Sequence, residues 1–538
     1  MVDRFTRTRF ASFLTGLVDG IFTKPSRQNF LTLALGWTFA LGRHTIATYL
    51  WRAGATALKH FTRYYVFFGT AFHSNQDLLF RQVIRLAATY VSEGRPIRVI
   101  FDETTCKKSG SKIEGASSYR NGAGTARQEW RTLYGVNFVI GLMQVPLRPW
   151  ESVLSVPIGL RLYLKRKEAA HLDRAYRSRS ELAREMLDLV SEEVGPRRTV
   201  ISIQDGNYST KKFLRGLPEN VEVVGRLPID SKLYEAPEEP PPGKPGRKPQ
   251  KGALIGSAKT LLAGEVLRED LSEEDLSEED LSEEDLSEED LSEEDLSEKD
   301  LSEKDLSEKD LAGEIPSEES VWRSHPTEEG AWIRRVQGIW DSVLSEVMLE
   351  AVVVYRPDVG SNSSKNELGA FFTTLPAGTG LLKPAGSNAV PDADASQSKE
   401  GAGSSRETGA QKGFSERILQ AYGGRWAVEI LIRTAKQRLG LGKDQCRRWQ
   451  RIEGANAFRL FMAGAQNLFF AEQAAQNGRE DLTRWRPWYG QKEAPSQQDV
   501  LWACRERLLR QGIIPTVGFE QGIGEVPRKE GEALARAG

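Results

Sequence analysis

The pattern of hydrophobic and polar positions divides the chain into a helical N-terminal part and a strand-rich part that follows it. Within residues 1–94, apolar residues recur at intervals of three and four, which is the spacing of amphipathic helices. Three segments show this spacing: NFLTLALGWTFALG, HTIATYLWRAGATALKHFTRYYVFF and QDLLFRQVIRLAATYVSEG. We therefore predict a helical region over residues 1–94.

From residue 95 the apolar runs become short, as is typical of β-strands. RPIRVIFDET predicts a strand that ends in acidic residues, and TLYGVNFVIGLMQVPL and WESVLSVPIGLRLYL predict two more strands of a meander. RSRSELAREMLDLVSEEVG predicts an amphipathic helix that ends at Gly195 and Pro196, and RRTVISIQDGNYS predicts a buried strand. KKFLRGLP and VEVVGRLP then predict a helix and a strand. This order is that of an RNase H-like α/β domain, a mixed sheet flanked by helices, and we assign its first part to residues 95–228.

An insertion domain, residues 229–345, interrupts this fold. It contains PEEPPPGKPGRKPQKG, residues 237–252, a proline-rich basic linker that cannot form regular structure. Residues 271–310 then repeat a pentapeptide, LSEED five times and LSEKD three times. Since a period of five places successive leucines about 140° apart on a helix, the repeat forms no apolar stripe. It is therefore either a solvated charged helix or disordered.

The second part of the RNase H-like domain is predicted over residues 346–480. WIRRVQGIW, VMLEAVVVYRPDV and ELGAFFTTL restore the strand pattern at the end of the insertion and just beyond it. Residues 376–413 are rich in Gly, Ser and Ala and are interpreted as a flexible insert. Residues 481–538 are weakly patterned and are interpreted as a C-terminal tail.

Composition limits the class of protein. A chain of 538 residues is long enough for about three folded units. Cys106, Cys446 and Cys504 have no paired spacing, which excludes a disulfide scaffold, and with only five scattered histidines they form no zinc pattern. The longest apolar runs are too short to span a bilayer, and the first residues lack the features of a cleavable leader. We therefore expect a soluble protein of a reducing cytoplasm with no membrane partner.

The net charge of −2 conceals a basic protein. Each LSEED contributes three negative charges and each LSEKD one, so the repeat carries −18 and the rest of the chain +16. The first hundred residues hold 13 Lys and Arg against four Asp and Glu. This excess indicates a polyanionic partner, usually nucleic acid. Within the first hundred residues, the segment GRHTIATYLWRAGA predicts a helix-turn-helix-like element, with His44, Thr45 and Arg52 near DNA. A plain helical bundle is the alternative.

A polar stripe marks the segment AYGGRWAVEILIRTAKQRLG, residues 421–440. On a helical wheel, Tyr422, Arg425, Glu429 and Lys436 fall within an arc of about 60°, and Arg433 joins them. The remaining positions are mostly apolar, so we predict a helix that packs on a core. Gly423 and Gly424 weaken its first turn, which places Tyr422 at the entry of the helix rather than inside it. A simpler interpretation treats Arg425 and Glu429, four residues apart, as an ordinary surface ion pair.

Three carboxylates could converge on one metal site. Asp102 and Asp205 end predicted strands, and Glu429 lies on the helix that follows the sheet. Because the first and fourth strands of an RNase H-like sheet are adjacent, we expect the two aspartates to meet. Two divalent ions held by such carboxylates can cut a phosphodiester, and Mg²⁺ prefers oxygen ligands. Each acid also has a purely structural interpretation, since acids often end strands and DG is a common turn.

Two further acids are rivals for this set. Glu103 follows Asp102 directly, and strand alternation would direct it to the opposite face. Asp230 opens the linker. Both are weaker candidates than the three carboxylates above.

The spaced helix motif resembles the Tyr-two-Arg-three-Glu-six-Lys signature of the DDE transposases of the insertion-sequence-four superfamily. VIFDETTCKKSG is similar to the first aspartate block of that family, and IQDGNYSTKKFL followed by VVGRLPIDSKLY is similar to the second. YEAPEEPPPGKPGRKPQKG resembles the linker of the branch related to insertion sequence 701. The resemblance covers roughly residues 95–230 and 330–470, and the N-terminal helices more loosely.

This resemblance implies roles for individual residues. Asp102, Asp205 and Glu429 would be the catalytic, metal-binding triad for Mg²⁺, with two ions bound and Mn²⁺ as a substitute. Tyr422, Arg425 and Lys436 would contact phosphates of the transposon end. Further DNA contacts are expected from Arg433 and from four lysines that follow the two aspartates: Lys107, Lys108, Lys211 and Lys212. For these lysines, solvated loop charge is the alternative. The family also inserts a β-rich segment between its second aspartate and its glutamate, in agreement with the interruption at 229–345.

The function implied by the resemblance is cut-and-paste DNA transposition. The partners would be transposon ends and target DNA, and the working form a homodimer that pairs two ends. The location would be the cytoplasm of a bacterium, in association with the nucleoid. Another RNase H-like nuclease, such as a resolvase, is one alternative, although it should lack the Tyr/Arg/Lys stripe. A catalytically dead DNA-binding derivative is the other, and it should have lost one of the three acids.

Overall fold

The computed structural model describes most of the chain outside the long inserts. The described residues are 1–120, 132–150, 152–237, 251–263, 323–325, 328, 330–356, 368–376, 405–478, 494–517 and 524–525. The acidic repeat at 271–310 and most of the segment 376–413 lie outside them. The chain divides into two units, Met1–Gly225 with Gly378–Ala410 and Arg417–Gly538, and Arg226–Ala377 with Gln411–Glu416.

The first unit begins with helices, as the apolar spacing predicts. They are α1 Val2–Phe5, α2 Arg9–Leu17, α3 Lys24–Thr38, α4 Ile46–Arg52, α5 Thr62–Phe67, a π-helical turn Phe68–Phe72, a 3₁₀ turn His73–Asn75 and α6 Gln76–Thr89. Threonine side chains cap two of them: Thr8 accepts from the Ala11 N–H at 3.2 Å, and Thr45 accepts from the Thr48 N–H at 3.2 Å. Such caps satisfy backbone donors that the first turn leaves without a helical partner.

A mixed sheet forms the centre of the first unit. Its strands are β1 Ile97–Lys107, β2 Ser117–Arg120, β3 Thr132–Leu147, β4 Ser152–Tyr163, β5 Val200–Gln204 and β6 Val221–Arg226. The order is β4-β3-β1-β5-β6, with β2 also on β3. β3 is antiparallel to β1, β2 and β4, whereas β1, β5 and β6 are parallel. The prediction that the first strand pairs with the strand ending at Asp205 is therefore confirmed.

Helices accompany this sheet between its strands. They are α7 Arg166–His171, α8 Arg179–Val194, a 3₁₀ turn Gly206–Tyr208 and α9 Lys211–Leu214. A capping box of Ser178 and Glu181 starts α8, and its apolar face packs on α6 and the sheet. The structure thus has the mixed α/β class, a sheet flanked by helices, that the order of elements predicts.

The second unit contains an antiparallel sheet. Its elements are β7 Leu233–Tyr234, β8 Leu254–Gly256, α10 Ala258–Ala263, β9 Arg323–Ser324, β10 Trp332–Trp340, α11 Asp341–Leu344, β11 Ser345–Tyr355 and β12 Leu368–Thr373. The strand order is β12-β11-β10-β7-β8, with β9 on β10. The buried Glu350 bonds Arg335 across β10 and β11 at 2.8 Å, so its charge is compensated. The strand pattern predicted around WIRRVQGIW, VMLEAVVVYRPDV and ELGAFFTTL is confirmed.

The C-terminal part of the first unit is helical. It comprises α13 Trp426–Thr434, a π-helical turn Ala435–Leu439, α14 Trp449–Asn477 and α15 Gln497–Arg510, followed by the short pair β13 Thr516–Val517 and β14 Gly524–Glu525. The preceding helix, α12 Ser405–Gly423, contains residues of both units. α14 is buried along most of its length and packs against β4 and α6. Among the described residues, no helix is both long enough and apolar enough to cross a membrane.

The segment 421–440 is broken near its start, where Gly423 and Gly424 weaken the predicted helix. α12 ends and α13 begins around Gly424, whose N–H bonds back to carbonyls of α12. A π-helical turn then precedes Gly440, which ends the segment in the left-handed conformation at φ 83°. Because the backbone is interrupted, one wheel does not describe where Tyr422 and Lys436 lie relative to Glu429.

Candidate active site

Asp102 and Asp205 lie level with each other on neighbouring parallel strands. The register places Ile100 of β1 opposite Ile203 of β5. If this register is continued by two residues, Asp205, which directly follows β5, lies opposite Asp102. Neighbouring strands are about 4.8 Å apart, and residues at the same level of parallel strands share a face of the sheet. The strand order therefore brings these two carboxylates together.

The two aspartates also adopt the same local geometry. Oδ1 of Asp102 accepts from the Glu103 N–H, and Oδ1 of Asp205 accepts from the Gly206 N–H, both at 2.8 Å. Burial raises the pKa of Asp102 to about 6. The Glu103 N–H and the Arg425 guanidinium oppose this rise, whereas the carboxylates of Glu103 and Asp205 add to it. Asp102 thus carries a desolvated charge that a cation would stabilise.

Arg425 is the common neighbour of all three candidate acids. Its Nη2 donates to Oε1 of Glu429 at 2.6 Å, and the two side chains are 17% and 31% exposed. Burial lowers the pKa of Arg425, but Asp205, Tyr422, Glu429 and Asp102 raise it above its ordinary value overall. The ion pair expected from the four-residue spacing is therefore present, but it is half-buried among further carboxylates rather than on an open surface.

Two other residues of the spaced motif contact the strands that carry the aspartates. The Tyr422 hydroxyl donates to Oδ1 of Asp205 at 3.3 Å. Lys436 Nζ donates to the carbonyl of Thr105, on β1, at 2.9 Å. Both ends of the α13 segment are thus bonded to the edge of the sheet at which Asp102 and Asp205 lie.

Gln144 is a positioning residue that sequence reasoning missed. It is a buried polar residue of β3, and its Nε2 donates to the carbonyl of Gly424 at 3.0 Å. This bond holds the break between α12 and α13 against the sheet. A polar residue within the apolar run TLYGVNFVIGLMQVPL was the available signal, since buried amides need hydrogen-bond partners.

The donor chemistry of the three acids fits a divalent cation, since carboxylate oxygens are the ligands that Mg²⁺ and Mn²⁺ prefer. Their arrangement in the structure includes a competing cation, the Arg425 guanidinium. Within the part of the chain that is described, no group of three or more His, Cys, Asp or Glu side chains is arranged to hold a metal ion. To bind an ion together with Asp102 and Asp205, Glu429 would therefore have to give up its bond to Arg425 and bond the ion instead.

The two rival acids have other partners. Glu103 accepts from the Tyr208 hydroxyl at 3.3 Å and lies 3.8 Å from Nε of Arg179. Asp230 belongs to the second unit, is 71% exposed and pairs with Lys259 at 2.7 Å.

The predicted DNA-contacting cations fall into two groups. Most are exposed at the ends of elements or on a helix surface: Lys107, Lys211, Lys212 and Arg433. Lys108 differs, because its ammonium is buried and its three donors bond the Gly442 carbonyl, the Asp444 carbonyl and Asp444 Oδ2 at 2.9, 3.0 and 2.9 Å. The expectation that Lys108 contacts DNA is therefore wrong; its side chain joins two loops.

The residues of the helix-turn-helix-like element serve internal contacts. His44 is 3% exposed, and burial, with a smaller contribution from Arg459, lowers its pKa to about 3. Thr45 caps α4, and Arg52 donates to the Thr516 carbonyl at 3.1 Å. The contacts of these three side chains agree with the alternative interpretation, in which this region is a plain helical bundle.

The mixed sheet flanked by helices is consistent with an RNase H-like domain of the DDE class. A family model described as DDE superfamily endonuclease matches residues 16–269, and one described as Transposase DDE domain matches residues 168–464. The second match covers more than half of the 538 residues, and the chain belongs to the DDE transposase family. The superfamily generally uses divalent metal ions and acts on DNA. No curated protein matches the chain.

Proposed function

We propose that this protein is a cut-and-paste transposase of the insertion-sequence-four superfamily, from the branch related to insertion sequence 701. One observation carries the proposal: Asp102 and Asp205 lie at the same level of adjacent strands, and the Arg425 guanidinium, which is bonded to Glu429, is close enough to interact electrostatically with both. Three acids from distant parts of the chain thus share one small region. The family match supports the reaction class.

The three carboxylates have one shared role in this proposal. Asp102, Asp205 and Glu429 would hold the divalent ions, Mg²⁺ with Mn²⁺ as a substitute, whose chemistry is to activate the attacking oxygen and neutralise charge on the phosphate. Desolvation of Asp102 favours this role, because a buried carboxylate gains more from a nearby cation than a hydrated one does.

Arg425 and Tyr422 would orient the substrate. A guanidinium can bond a phosphate through two parallel N–H groups, so a DNA phosphate would compete with Glu429 for Arg425. That exchange would release Glu429. The Tyr422 hydroxyl and the Lys436 ammonium would donate to neighbouring phosphates. These contacts position the scissile bond for in-line attack.

The proposed reaction proceeds by successive displacements at phosphorus. Water first cleaves one strand at the end of the element and frees a 3′-hydroxyl. That hydroxyl attacks the opposite strand and forms a hairpin, which is reopened, and the 3′-end then attacks target DNA. Each displacement breaks one phosphodiester bond as it forms another bond to the same phosphorus. Exposed cations would hold the DNA backbone: Lys107, Lys211, Lys212 and Arg433.

The proposed assembly is a homodimer that pairs two transposon ends. The helical region 1–94 would recognise the terminal sequence, since its excess of positive charge suits a polyanion. The proposed location is the nucleoid of a bacterial cytoplasm.

Cleavage of end-containing DNA with Mg²⁺ tests the proposal. Asp102→Asn, Asp205→Asn and Glu429→Gln should each lose activity by a factor of about 100 or more, as expected when an electrostatic catalytic group is removed. Glu103→Gln, the same chemical change at the neighbouring residue, should retain most activity. If all three triad variants cut like the wild type, the site assignment is wrong. Cleavage without joining to target DNA would indicate a nuclease instead.

A further inference from the structure

A cavity of about 540 Å³ lies beyond the end of β1, between the loop at 107–113 and the loop at 442–447. Both loops belong to the first unit. The lining side chains include four cations, Lys107, Lys108, Lys112 and Arg447, and two hydroxyls, Ser109 and Ser111. This composition favours an anionic ligand.

A buried ion pair holds the walls of this cavity together. Lys108 Nζ bonds two carbonyls of the opposite loop and Oδ2 of Asp444. The same Asp444 oxygen accepts from Nδ2 of Asn456 at 2.9 Å, so the buried ion pair is also bonded to α14. Because both partners are buried and hydrogen-bonded, the pair fixes the loops and neutralises its own charge.

The remaining cations of the cavity keep their charge available. Lys107, Lys112 and Arg447 are exposed, and none of them forms an ion pair within the described part of the chain. Of the described lining residues, Asp444 is the one carboxylate, and it is paired with Lys108. The cavity therefore carries about three uncompensated positive charges, as counted from these side chains.

The loop backbone adds neutral donors. In the described structure, the N–H groups of Ser109, Gly110 and Ser111 form no backbone hydrogen bond. Amide and hydroxyl donors beside cations are the groups that bind phosphate oxygens in proteins. Phosphate esters are therefore the chemical class that this cavity suits.

We infer that the cavity binds the phosphodiester backbone of the DNA strand held in the active site, a few nucleotides from the cleaved bond. The inference rests on the proposed function. Asp102 and Lys107 are five residues apart on β1, or about 17 Å. Since B-DNA rises 3.4 Å per nucleotide, the contact falls within about five nucleotides of the scissile phosphate. Lys436, bonded to Thr105, supplies a cation between the two places.

The role of these cations is positioning rather than catalysis. Contacts to phosphates fix the register of a protein on DNA and carry no sequence information. Loss of the cavity charges should therefore weaken binding to all sequences alike.

Two double variants, each of which lacks two positive charges, test the inference. Lys112→Ala with Arg447→Ala removes two cavity cations, and Lys167→Ala with Arg197→Ala removes two exposed cations elsewhere on the first unit. Affinity of the full-length protein for a mixed-sequence duplex would be measured by fluorescence anisotropy over a range of salt concentrations. The cavity variant should lose about tenfold in affinity, and the slope of log affinity against log salt should fall by about 1 to 2. The matched variant should keep the wild-type slope.

Three outcomes separate the inference from the proposed function. Equal slopes for the two variants, with Mg²⁺-dependent cleavage by the wild type intact, would overturn the inference alone. A reduced slope for the cavity variant, without cleavage by the wild type, would support the polyanion site and refute the transposase. Methylphosphonates placed singly in end-containing DNA should weaken wild-type binding within about five nucleotides of the cut and have less effect on the cavity variant. Thermal melting of both variants confirms that they fold.

Discussion

Arg425 donates a hydrogen bond of 2.6 Å to Glu429, one helical turn further along the chain. The residue proposed to bind phosphate and a residue proposed to bind metal thus neutralise each other in the structure. Because Asp102 and Asp205 also raise the pKa of Arg425, the guanidinium serves as a counter-ion to all three acids. Metal binding and DNA binding should therefore depend on each other through this side chain.

Arg425→Ala should strengthen Mn²⁺ binding to the protein without DNA. Removal of the guanidinium frees Glu429 and takes one positive charge away from the acids, which should raise the affinity by about tenfold, or about 1.4 kcal/mol. Electron paramagnetic resonance of free Mn²⁺ measures this directly. Arg433→Ala, an exposed cation of the same helix, is the matched control and should leave the affinity unchanged. An unchanged or weaker affinity in Arg425→Ala would contradict the counter-ion role.

Lys108→Ala should destabilise the protein, whereas Lys107→Ala should not. Loss of the Lys108 ammonium leaves Asp444 buried without its partner, which typically costs about 3–5 kcal/mol. Lys107 is exposed, and its removal should change the free energy of unfolding by less than about 0.5 kcal/mol. Urea unfolding of the two variants measures the difference. Similar midpoints for both would refute the structural role of Lys108.

His44→Gln should reduce the loss of stability in acid. The pKa of His44 is lowered from 6.5 to about 3 in the folded protein. Between these values the unfolded chain binds a proton that the folded one does not, so stability is complete above pH 6.5 and falls as the pH decreases towards 3. The variant should lack this contribution, about 1.4 kcal/mol per pH unit at most. Thermal melting from pH 7 to 4 tests it, with exposed His60→Gln as the control. Parallel pH profiles for wild type and His44→Gln would contradict it.

Two glycine-to-alanine changes in helices should have opposite effects. A Cβ at Gly454 of α14 would lie 2.0 Å from the carbonyl oxygen of Phe68, so the helices would have to separate. Around Gly16 of α2 there is nothing within 4 Å, and alanine should stabilise by up to about 1 kcal/mol. Melting temperatures should fall for Gly454→Ala and rise for Gly16→Ala. A rise for both would mean that α14 tolerates a wider separation than its packing indicates.

The sequence by itself determined the type and order of the elements of the mixed sheet and its flanking helices, although not helix α15 in the weakly patterned C-terminal part. Strand β3 spans Thr132–Leu147, the run TLYGVNFVIGLMQVPL, because a long apolar segment between turn residues has few other ways to bury its side chains. The order of strands and helices then predicted that Asp102 and Asp205 lie on adjacent strands. Local chemistry also predicted the start of α8, where Ser178 and Glu181 form a capping box.

The tertiary structure decided which polar side chains are exposed to solvent and which are buried and paired with other groups. Lys107 and Lys108 are neighbours in the chain, yet the first is exposed and the second is buried against Asp444, because burial depends on a loop more than 300 residues away. The low pKa of His44 likewise depends in part on α14, whose Arg459 bonds the His44 carbonyl and places a positive charge beside the residue. The break at Gly424 is bonded to Gln144 of a distant strand, a partner that the sequence around the break does not reveal. Periodicity reports only what a residue's own element requires, whereas desolvation and charge pairing depend on partners that only the folded chain supplies.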